Sequence, residues 1–298
     1  MVRQYKIHTN LDGMNDKVWD VTNGKVRFYQ PSNLGLQSTN NIWQSNGIGV
    51  MGTRSITQPQ IEFKLETFGE SLEENYRLMK DFINDILNQK FVTLEYQTEI
   101  FQVYADLALA DVTKTEGYGK NGTFSEKITF DIITKWYTYE NLTFDMVQNG
   151  KVLSGKSKIY GGTAPGDYKY VKGTSYTYYG ETNIERLSRW DIKDEIFSFI
   201  GILFPKLPKT PAGVRFLDDI GNEYTAIVFK TEQLQDYILI NTDVNDETYQ
   251  GWNGTTALNL FPVMDFERYR TRIIEKGQME LINLSKAEFK IKRKAEFV

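Results

Sequence analysis

The sequence predicts a mainly β protein built from two domains. The chain contains 18 Tyr, 18 Phe and 5 Trp, and aromatic residues are favoured in strands and at protein interfaces. Several segments alternate apolar and polar side chains with the two-residue period of a half-buried strand. A length of 298 residues is enough for one large domain or two ordinary ones, each with its own core.

The composition excludes several classes of chemistry. One His and no Cys leave little for covalent catalysis, proton shuttling or transition-metal binding. A net charge of −4 argues against nucleic acid or an anionic membrane as the main partner. The longest apolar stretch, Ile196 to Phe204, is too short to span a bilayer. We therefore expect no enzyme activity, no catalytic or metal-binding residues, no cofactor and no membrane partner.

The first 66 residues divide into three parts. Residues 1 to about 30 predict short strands, with turns at 10–13 and 22–24. Residues 30–60 are rich in Gly, Ser, Asn and Gln, which predicts either disorder or an arm that finds its partner outside its own domain. Residues 60–66 alternate regularly and predict a half-buried strand.

One helix is predicted after residue 70. Ser71 and Glu74 have the spacing of a capping box, which gives partners to two N–H groups of the first turn. Apolar residues then recur at steps of three and four, and this stripe must pack on a sheet. The residues of the predicted stripe are Leu72, Tyr76, Met79, Ile83 and Ile86.

The rest of the first domain is predicted to be strands. Residues 91–97 and 100–106 are close enough to pair as a hairpin. A longer strand is expected between residues 124 and 136, and the domain ends near Tyr137. The inward face of that strand is predicted to carry Phe124, Ile128, Phe130, Ile132 and Trp136.

The second half of the chain predicts a β-sandwich. Residues 138–190 contain Gly-rich turns and scattered Tyr, which predicts loops and hairpins. A regular series of short strands then indicates two packed sheets. The predicted strands cover 213–219, 223–230, 236–242, 255–263 and 269–275, with a hairpin turn at 219–222.

The C-terminal segment decides how the two domains are connected. Residues 285–298 alternate again, and this strand could return to the first domain. Residues 138–280 would then be an insertion, which proteins tolerate when the ends of the inserted part lie close together. The residues alone favour neither arrangement.

Two motifs are candidate catalytic or ligand sites. The segment from Gly150 to Ser157 satisfies the phosphate-loop pattern. It lacks the buried strand before it, and Gly161, Gly162 and Pro165 prevent a helix after it, so we interpret it as a chance match. His8 has no second ligand or nucleophile motif near it and is interpreted as a polar strand residue.

Four further features have a simple structural interpretation. Residues 241–247 concentrate oxygen ligands but lack the Gly and Glu of a calcium loop, so we expect a solvated turn. The 39 acidic residues select no carboxylate pair for glycoside hydrolysis. Tyr residues between 160 and 179 fit cross-strand packing, although sugar stacking and protein docking stay open. A basic series is expected to form the solvated face of a strand: Lys286, Lys290, Lys292, Arg293 and Lys294.

The whole chain resembles a known family. Three segments carry the resemblance: residues 2–10, 44–55 and 290–294. They are similar to the distal tail proteins (Dit) of lactococcal siphophages, the hub type of baseplate protein. The resemblance extends over essentially all 298 residues.

The resemblance implies a structural role in a phage tail. Residues 1–137 with 282–298 are expected to form a belt domain, a β-sandwich or split barrel with one packed helix. Its copies would close into a hexameric ring that continues the channel of the tail tube. Residues 138–281 are expected to form an inserted galectin-like β-sandwich, with an arm-like extension near 150–185.

The expected partners are other copies of the chain, the major tail protein, the tail-associated hub protein and receptor-binding protein trimers. Sequence-specific nucleic acid is not expected. The location implied is the distal tip of the virion tail, after synthesis in the host cytoplasm. A carbohydrate-binding module that contacts the host cell wall is the alternative function. The sugar-binding residue set of galectins is not recognised, and fold does not transfer function.

Overall fold

The computed structural model divides the chain into two compact units. One contains Met1–Thr138 with Ala295–Val298, and the other contains Tyr139–Lys294. The described parts are mainly β with a single α-helix, which confirms the predicted fold class. None of these parts includes a helix long and apolar enough to cross a membrane. The structure describes residues 3–13, 15–35, 37–57, 60–114, 123–145, 147–148, 151–152, 189–192, 196–271, 274 and 277–295.

The first unit is a set of antiparallel strands with one helix. In the sheet, β2, β1, β7, β8, β9, β6 and β3 are neighbours in that order. The elements in chain order are β1 (Gln4–His8), β2 (Val18–Asp20), β3 (Val26–Ser32), β4 (Gln37–Ser45), β5 (Ile48–Thr57), β6 (Ile61–Thr67), α1 (Leu72–Leu87), β7 (Val92–Gln97), β8 (Gln102–Thr113), β9 (Ser125–Ile132) and the start of β10 (Tyr137–Asp145).

The core of the first unit lies between these strands and α1. Its rings pack in pairs: Phe28 lies 4.6 Å from Phe63 in a stacked arrangement, and Phe82 of α1 meets Phe28 at 5.9 Å edge to face. The regular alternation predicted for β6 is confirmed, with Ile61, Phe63 and Leu65 buried. The predicted hairpin of β7 and β8 is confirmed as well, with Gln97 opposite Gln102.

The helix begins where the sequence predicts but buries a different face. The Glu74 N–H donates to Ser71 Oγ at 3.2 Å, which confirms the cap. The predicted stripe is wrong at its start, because Leu72 and Tyr76 are 54% and 62% exposed. Asn75 is buried in their place and accepts the Gly69 N–H at 2.6 Å. A polar residue thus takes the inward position of the first turn because it accepts a hydrogen bond from the backbone of the preceding loop.

The strand predicted over 124–136 is shorter than expected. It ends at Ile132, and Ile128 and Phe130 are its fully buried apolar residues. Trp136 is buried outside the strand, where its indole N–H donates to the Leu34 carbonyl at 3.2 Å.

The second unit is a sandwich of two antiparallel sheets. One sheet has the order β19-β18-β17-β14-β21-β10, and the other has β13-β20-β15-β16. Its elements are the rest of β10, β11 (Val147–Gln148), β12 (Lys151–Val152), β13 (Arg189–Ile192), β14 (Ile196–Pro205), β15 (Ala212–Leu217), β16 (Glu223–Phe229), β17 (Tyr237–Asn241), β18 (Thr248–Asn253), β19 (Thr256–Asn259), a 3-10 turn (Phe261–Val263), β20 (Gly277–Ile282) and β21 (Leu284–Lys294).

Side chains from both sheets fill the core of the second unit. Phe199 of β14 lies 6.0 Å from Phe216 of β15 and 5.7 Å from Phe289 of β21. The predicted turn between β15 and β16 is confirmed, with Gly221 at φ +89°. That positive φ favours glycine, since any side chain would be strained there.

Several strands of this unit differ from the prediction. β13, β18 and β20 fall outside the predicted strands, and the sequence identifies β14 only as an apolar stretch. In β14 a continuous apolar run replaces alternation, because Phe199 lies in the core while Ile200 and Ile202 are half-buried on the other face. The strand predicted over 269–275 is absent from its described residues, of which Ile274 forms one isolated bridge with Ile196.

The C-terminal strand belongs to the second unit. The resemblance assigned residues 282–298 to the first domain, whereas β21 pairs with β14 from Leu284 to Arg293. A side chain at Gly201 would approach the Phe289 ring to 3.0 Å, so Phe289 fits over this glycine. The residues from Ala295 onward lie in the first unit, and the Ala295 N–H donates to the Trp136 carbonyl at 2.8 Å.

Candidate functional site

A hairpin of the first unit exposes a cluster of large apolar side chains. Strands β4 and β5 form a two-stranded sheet of their own, and every residue of β4 is exposed. Asn46 and Gly47 at its turn have φ of +50° and +80°, as in the type I′ turn that suits a two-residue hairpin. Within the described part of residues 30–60, Gln37–Ser45 and Ile48–Thr57 form a paired hairpin rather than a disordered segment, and its exposure suits an arm.

Both faces of this hairpin carry large apolar side chains. On one face Trp43 lies opposite Val50, and Ile48, two positions earlier in β5, shares that face. On the other face Ile42 lies opposite Met51. These five side chains are between 49% and 70% exposed. A two-stranded hairpin is marginally stable in water, and clustered exposed apolar groups mark interaction sites, so the hairpin is the candidate protein interface.

The only histidine lies in a buried cluster of charges. His8 Nδ1 is 2.6 Å from Asp16 Oδ2, and His8 Nε2 is 2.8 Å from Glu95 Oε2. The Lys6 ammonium donates to the other Glu95 oxygen at 2.8 Å. Strand pairing explains the geometry, since Lys6 faces Glu95 and His8 faces Thr93 across β1 and β7. We call these four residues, Lys6, His8, Asp16 and Glu95, the His8 cluster.

The cluster favours the charged form of each of its two buried members. Burial lowers the pKa of His8, but the hydrogen bonds to Glu95 and Asp16 outweigh it and raise that pKa above its ordinary value. The hydrogen bond from His8 and the Lys6 ammonium lower the pKa of Glu95 to about 2 despite its burial. His8 is thus a polar strand residue, as predicted, and is also the centre of an ionic network.

The acidic turn of the second unit is closed by a lysine. Lys292 is 4% exposed, and its ammonium donates to Asp243 Oδ2 at 2.8 Å. Asp243 Oδ1 accepts the Asn245 N–H at 3.0 Å. Two predictions are corrected here: Asp243 is buried rather than solvated, and Lys292 does not belong to a solvated strand face. A cation in the core needs a partner charge, and β21 brings the two together.

The side-chain oxygens of this turn therefore accept hydrogen bonds from other groups of the protein. Asp246 Oδ2 accepts from the Asn241 side chain at 3.1 Å. In the described part of the chain, no group of three or more His, Asp and Glu side chains is arranged to hold a metal ion.

An aromatic row lies on one face of the larger sheet in the second unit. The Tyr237 and Trp252 rings stack at 5.9 Å with an angle of 11° between their planes. Phe204 lies 6.4 Å from Tyr237, and the Lys286 ammonium is 5.5 Å from the centre of the Phe204 ring. All four side chains are half-buried and point away from the core, because their strand neighbours Leu203 and Ile238 are fully buried.

Three predicted features lie largely or wholly outside the described residues. The chance phosphate-loop match extends from Gly150 to Ser157, of which only the backbone of β12 is described. The Tyr-rich stretch at 160–179 and most of the proposed arm at 150–185 are not described.

Matches to known proteins extend over nearly the entire chain. Residues 4–133 match the family model of the distal tail protein N-terminal domain, and residues 135–298 match that of the Dit C-terminal domain. The chain is 93% identical to the distal tail protein of Lactococcus phage p2 and 90% identical to that of Lactococcus phage SK1, with 100% of both chains covered in each case.

Solved structures give the same relationship. A chain from the phage p2 baseplate in its activated conformation with Ca superposes with a TM-score of 0.80 at 93% identity, covering 100% of both chains. The Dit protein of phage SPP1 superposes with a TM-score of 0.50 at 10% identity, covering 98% of this chain and 99% of that one. The second similarity concerns the fold alone.

Proposed function

The chain belongs to the distal tail protein family, and from that premise we propose that it is a structural baseplate protein whose copies close into a hexameric ring at the tip of a phage tail. Its relative from phage p2 occurs in a baseplate. The ring would join the tail tube to the baseplate and hold the receptor-binding proteins. The protein would act in the virion, after synthesis in the host cytoplasm.

Each unit has a separate part in this proposal. The first unit is the belt domain that forms the ring around a passage for DNA. The second unit is the galectin-like outer domain, and an arm-like extension from it grips receptor-binding protein trimers. The tail tube and the tail-associated hub protein are the partners above and below the ring. Its work is mechanical, so no turnover of a substrate is required.

The exposed hairpin of β4 and β5 is the observation that carries the proposal. A ring of identical subunits uses heterologous contacts, in which one patch of each copy meets a different patch of the next. A projecting element with Trp43, Ile48 and Val50 more than 60% exposed supplies one such patch. Permanent interfaces are apolar at their centres, and docking on a neighbour would remove these side chains from water.

The oligomeric state of the purified full-length chain tests the ring. Native mass spectrometry is expected to give a species of six copies, and negative-stain images are expected to show a ring with six outer lobes. A monomer at every concentration would overturn the ring proposal. A closed ring with another number of copies would overturn the hexamer alone.

Carbohydrate binding is a second candidate function, favoured by the aromatic row of Phe204, Tyr237 and Trp252. Half-buried rings on one sheet face offer apolar area on which a sugar ring can stack. This surface would touch the host cell wall directly.

A titration of the full-length protein with host cell-wall polysaccharide separates this candidate from pure scaffolding. If the row binds sugar, Trp252→Leu is expected to weaken binding about tenfold, equivalent to about 1.4 kcal/mol. Phe261→Leu is the matched control, because Phe261 is an exposed ring at 44% outside the row. Absence of binding by the unmodified protein, or equal effects of the two substitutions, would contradict the sugar site.

A further inference from the structure

We propose that His8 is a pH-controlled clamp that fastens the loop between β1 and β2 to the sheet of the first unit. The inference uses the His8 cluster and does not depend on the ring. It assigns a conformational role to the only histidine in the chain.

Asp16 is the residue of this loop that binds His8 of the sheet, and Lys17 at the end of the loop pairs with Asp85 of α1. One carboxylate oxygen of Asp16 accepts from His8 at 2.6 Å, and the other accepts the Asn10 N–H at 3.0 Å. The ends of the loop are joined by Thr9 and Lys17, which exchange two hydrogen bonds of 2.9 and 3.1 Å. Strand β2 follows directly and pairs only with β1 among the described strands. Release of Asp16 therefore loosens the loop that leads into an edge strand.

Only the doubly protonated ring satisfies both carboxylates. An ionised carboxylate is an acceptor only, and a neutral imidazole has one N–H. With His8 neutral, one ring nitrogen would direct a lone pair at a carboxylate 2.6 or 2.8 Å away. One of the two contacts must then open.

Burial decides which contact opens. The Glu95 side chain is 5% exposed and also holds the Lys6 ammonium, whereas the Asp16 side chain is 20% exposed and lies on a loop. Without the imidazole, Glu95 would keep Lys6 on Oε1, but its buried Oε2 would lose a hydrogen bond out of reach of water, which costs more than returning Asp16 to water. The neutral ring is expected to keep its Nε2–H on Glu95 and to release Asp16.

The surroundings of His8 contain further charged and titratable groups. Across β7 and β8, Tyr104 faces Glu95, and Asp106 accepts from Thr93 beside His8 at 2.8 Å. Burial first, and then the charges of Glu95 and Asp12, raise the pKa of Tyr104 to about 12, so this phenol stays neutral. Within the described part of this surface, His8 is the group whose charge changes near neutral pH.

The pKa shifts of His8 and Glu95 set the pH range in which the clamp stabilises the folded protein. The pKa of His8 is raised above 6.5, so its contribution is complete below that value and is lost as pH rises through the folded pKa. The pKa of Glu95 is lowered from 4.5 to about 2, so its contribution is present above 4.5 and is lost as pH falls toward 2. The stability that the clamp contributes is therefore complete between about 4.5 and 6.5, and the clamp opens only as pH rises through the folded pKa of His8, above 6.5.

Two spectroscopic probes test the clamp in the full-length protein. With one histidine in the chain, a ¹³C-labelled imidazole gives a single resonance that reports the His8 titration. With no cysteine, Asn15→Cys gives one attachment site for a nitroxide on the exposed part of the loop. The nitroxide is expected to become mobile with a midpoint that coincides with the His8 midpoint, above pH 6.5.

Matched variants decide the outcome. Ile220→Cys, at a position 83% exposed in the second unit, carries the control label and should show no pH transition. His8→Gln should abolish the transition of the loop label, and Asp16→Asn should leave that label mobile at every pH. The proposal is overturned by a His8 midpoint at or below 6.5, by loop mobility that does not change while His8 titrates, or by a transition that persists in Asp16→Asn.

Discussion

Replacing Trp43 and Ile48 with aspartate is expected to abolish self-association while leaving the subunit folded. Both side chains lie on one face of the hairpin and are 68% and 70% exposed. An interfacial Trp commonly contributes about 2 kcal/mol or more to binding, about thirtyfold in Kd. Burying an unpaired carboxylate in its place adds a desolvation cost. Sedimentation velocity of Trp43→Asp with Ile48→Asp should show monomers.

The control for this variant is a pair of substitutions at two isoleucines that are even more exposed. Ile100 and Ile220 are 89% and 83% exposed outside the hairpin, so Ile100→Asp with Ile220→Asp adds the same charge elsewhere. This control should assemble normally, and the thermal unfolding midpoints of both variants should match that of the unmodified chain. Intact rings from the hairpin variant at low concentration would rule out the hairpin as the subunit contact.

Lys292→Met is expected to destabilise the second unit by about 3–5 kcal/mol, the usual cost of removing one member of a buried ion pair. The methionine fits the space of the lysine stem, but Asp243, which is 8% exposed, loses the ammonium 2.8 Å away. Denaturant unfolding of the second unit, followed by intrinsic fluorescence, measures the loss.

Two further variants separate charge from packing. Lys292→Met combined with Asp243→Leu should recover most of the stability, because no uncompensated charge remains in the core. Lys286→Met removes a partly exposed ion pair with Glu288 and should cost at most about 1 kcal/mol. If Lys286→Met and Lys292→Met lowered the free energy of unfolding equally, burial of the Lys292–Asp243 pair would make no difference to its contribution.

Local patterns in the sequence predicted the elements that depend on local interactions. The alternation of β6 and the cap at Ser71 are confirmed because each is set by neighbours within a few residues. Strand β14 is apolar on both faces, so the two-residue period that identifies a strand is missing there. The alternation of β21 predicts a half-buried strand but not which sheet receives it, since that choice depends on the fit of Phe289 over Gly201.

The candidate sites were harder to predict because their partners are distant in sequence. His8 and Glu95 are separated by 87 positions, and Asp243 and Lys292 by 49. The residues around the phosphate-loop and calcium-loop patterns argue against both sites, but they do not show which charges meet in the folded chain. The hairpin had a signal in the dipeptide Asn46-Gly47, typical of a tight turn, which the polar composition of the segment concealed.

The hairpin also makes the unassembled subunit prone to pair with the wrong chain. Its two strands contain one charged residue, Arg54, and no proline, so they lack the usual features that prevent strand edges from pairing with the wrong chain. Newly synthesised copies are therefore expected to misassociate if they accumulate faster than correct neighbours capture them. Rapid incorporation into the assembling virion would reduce the number of copies lost to misassociation.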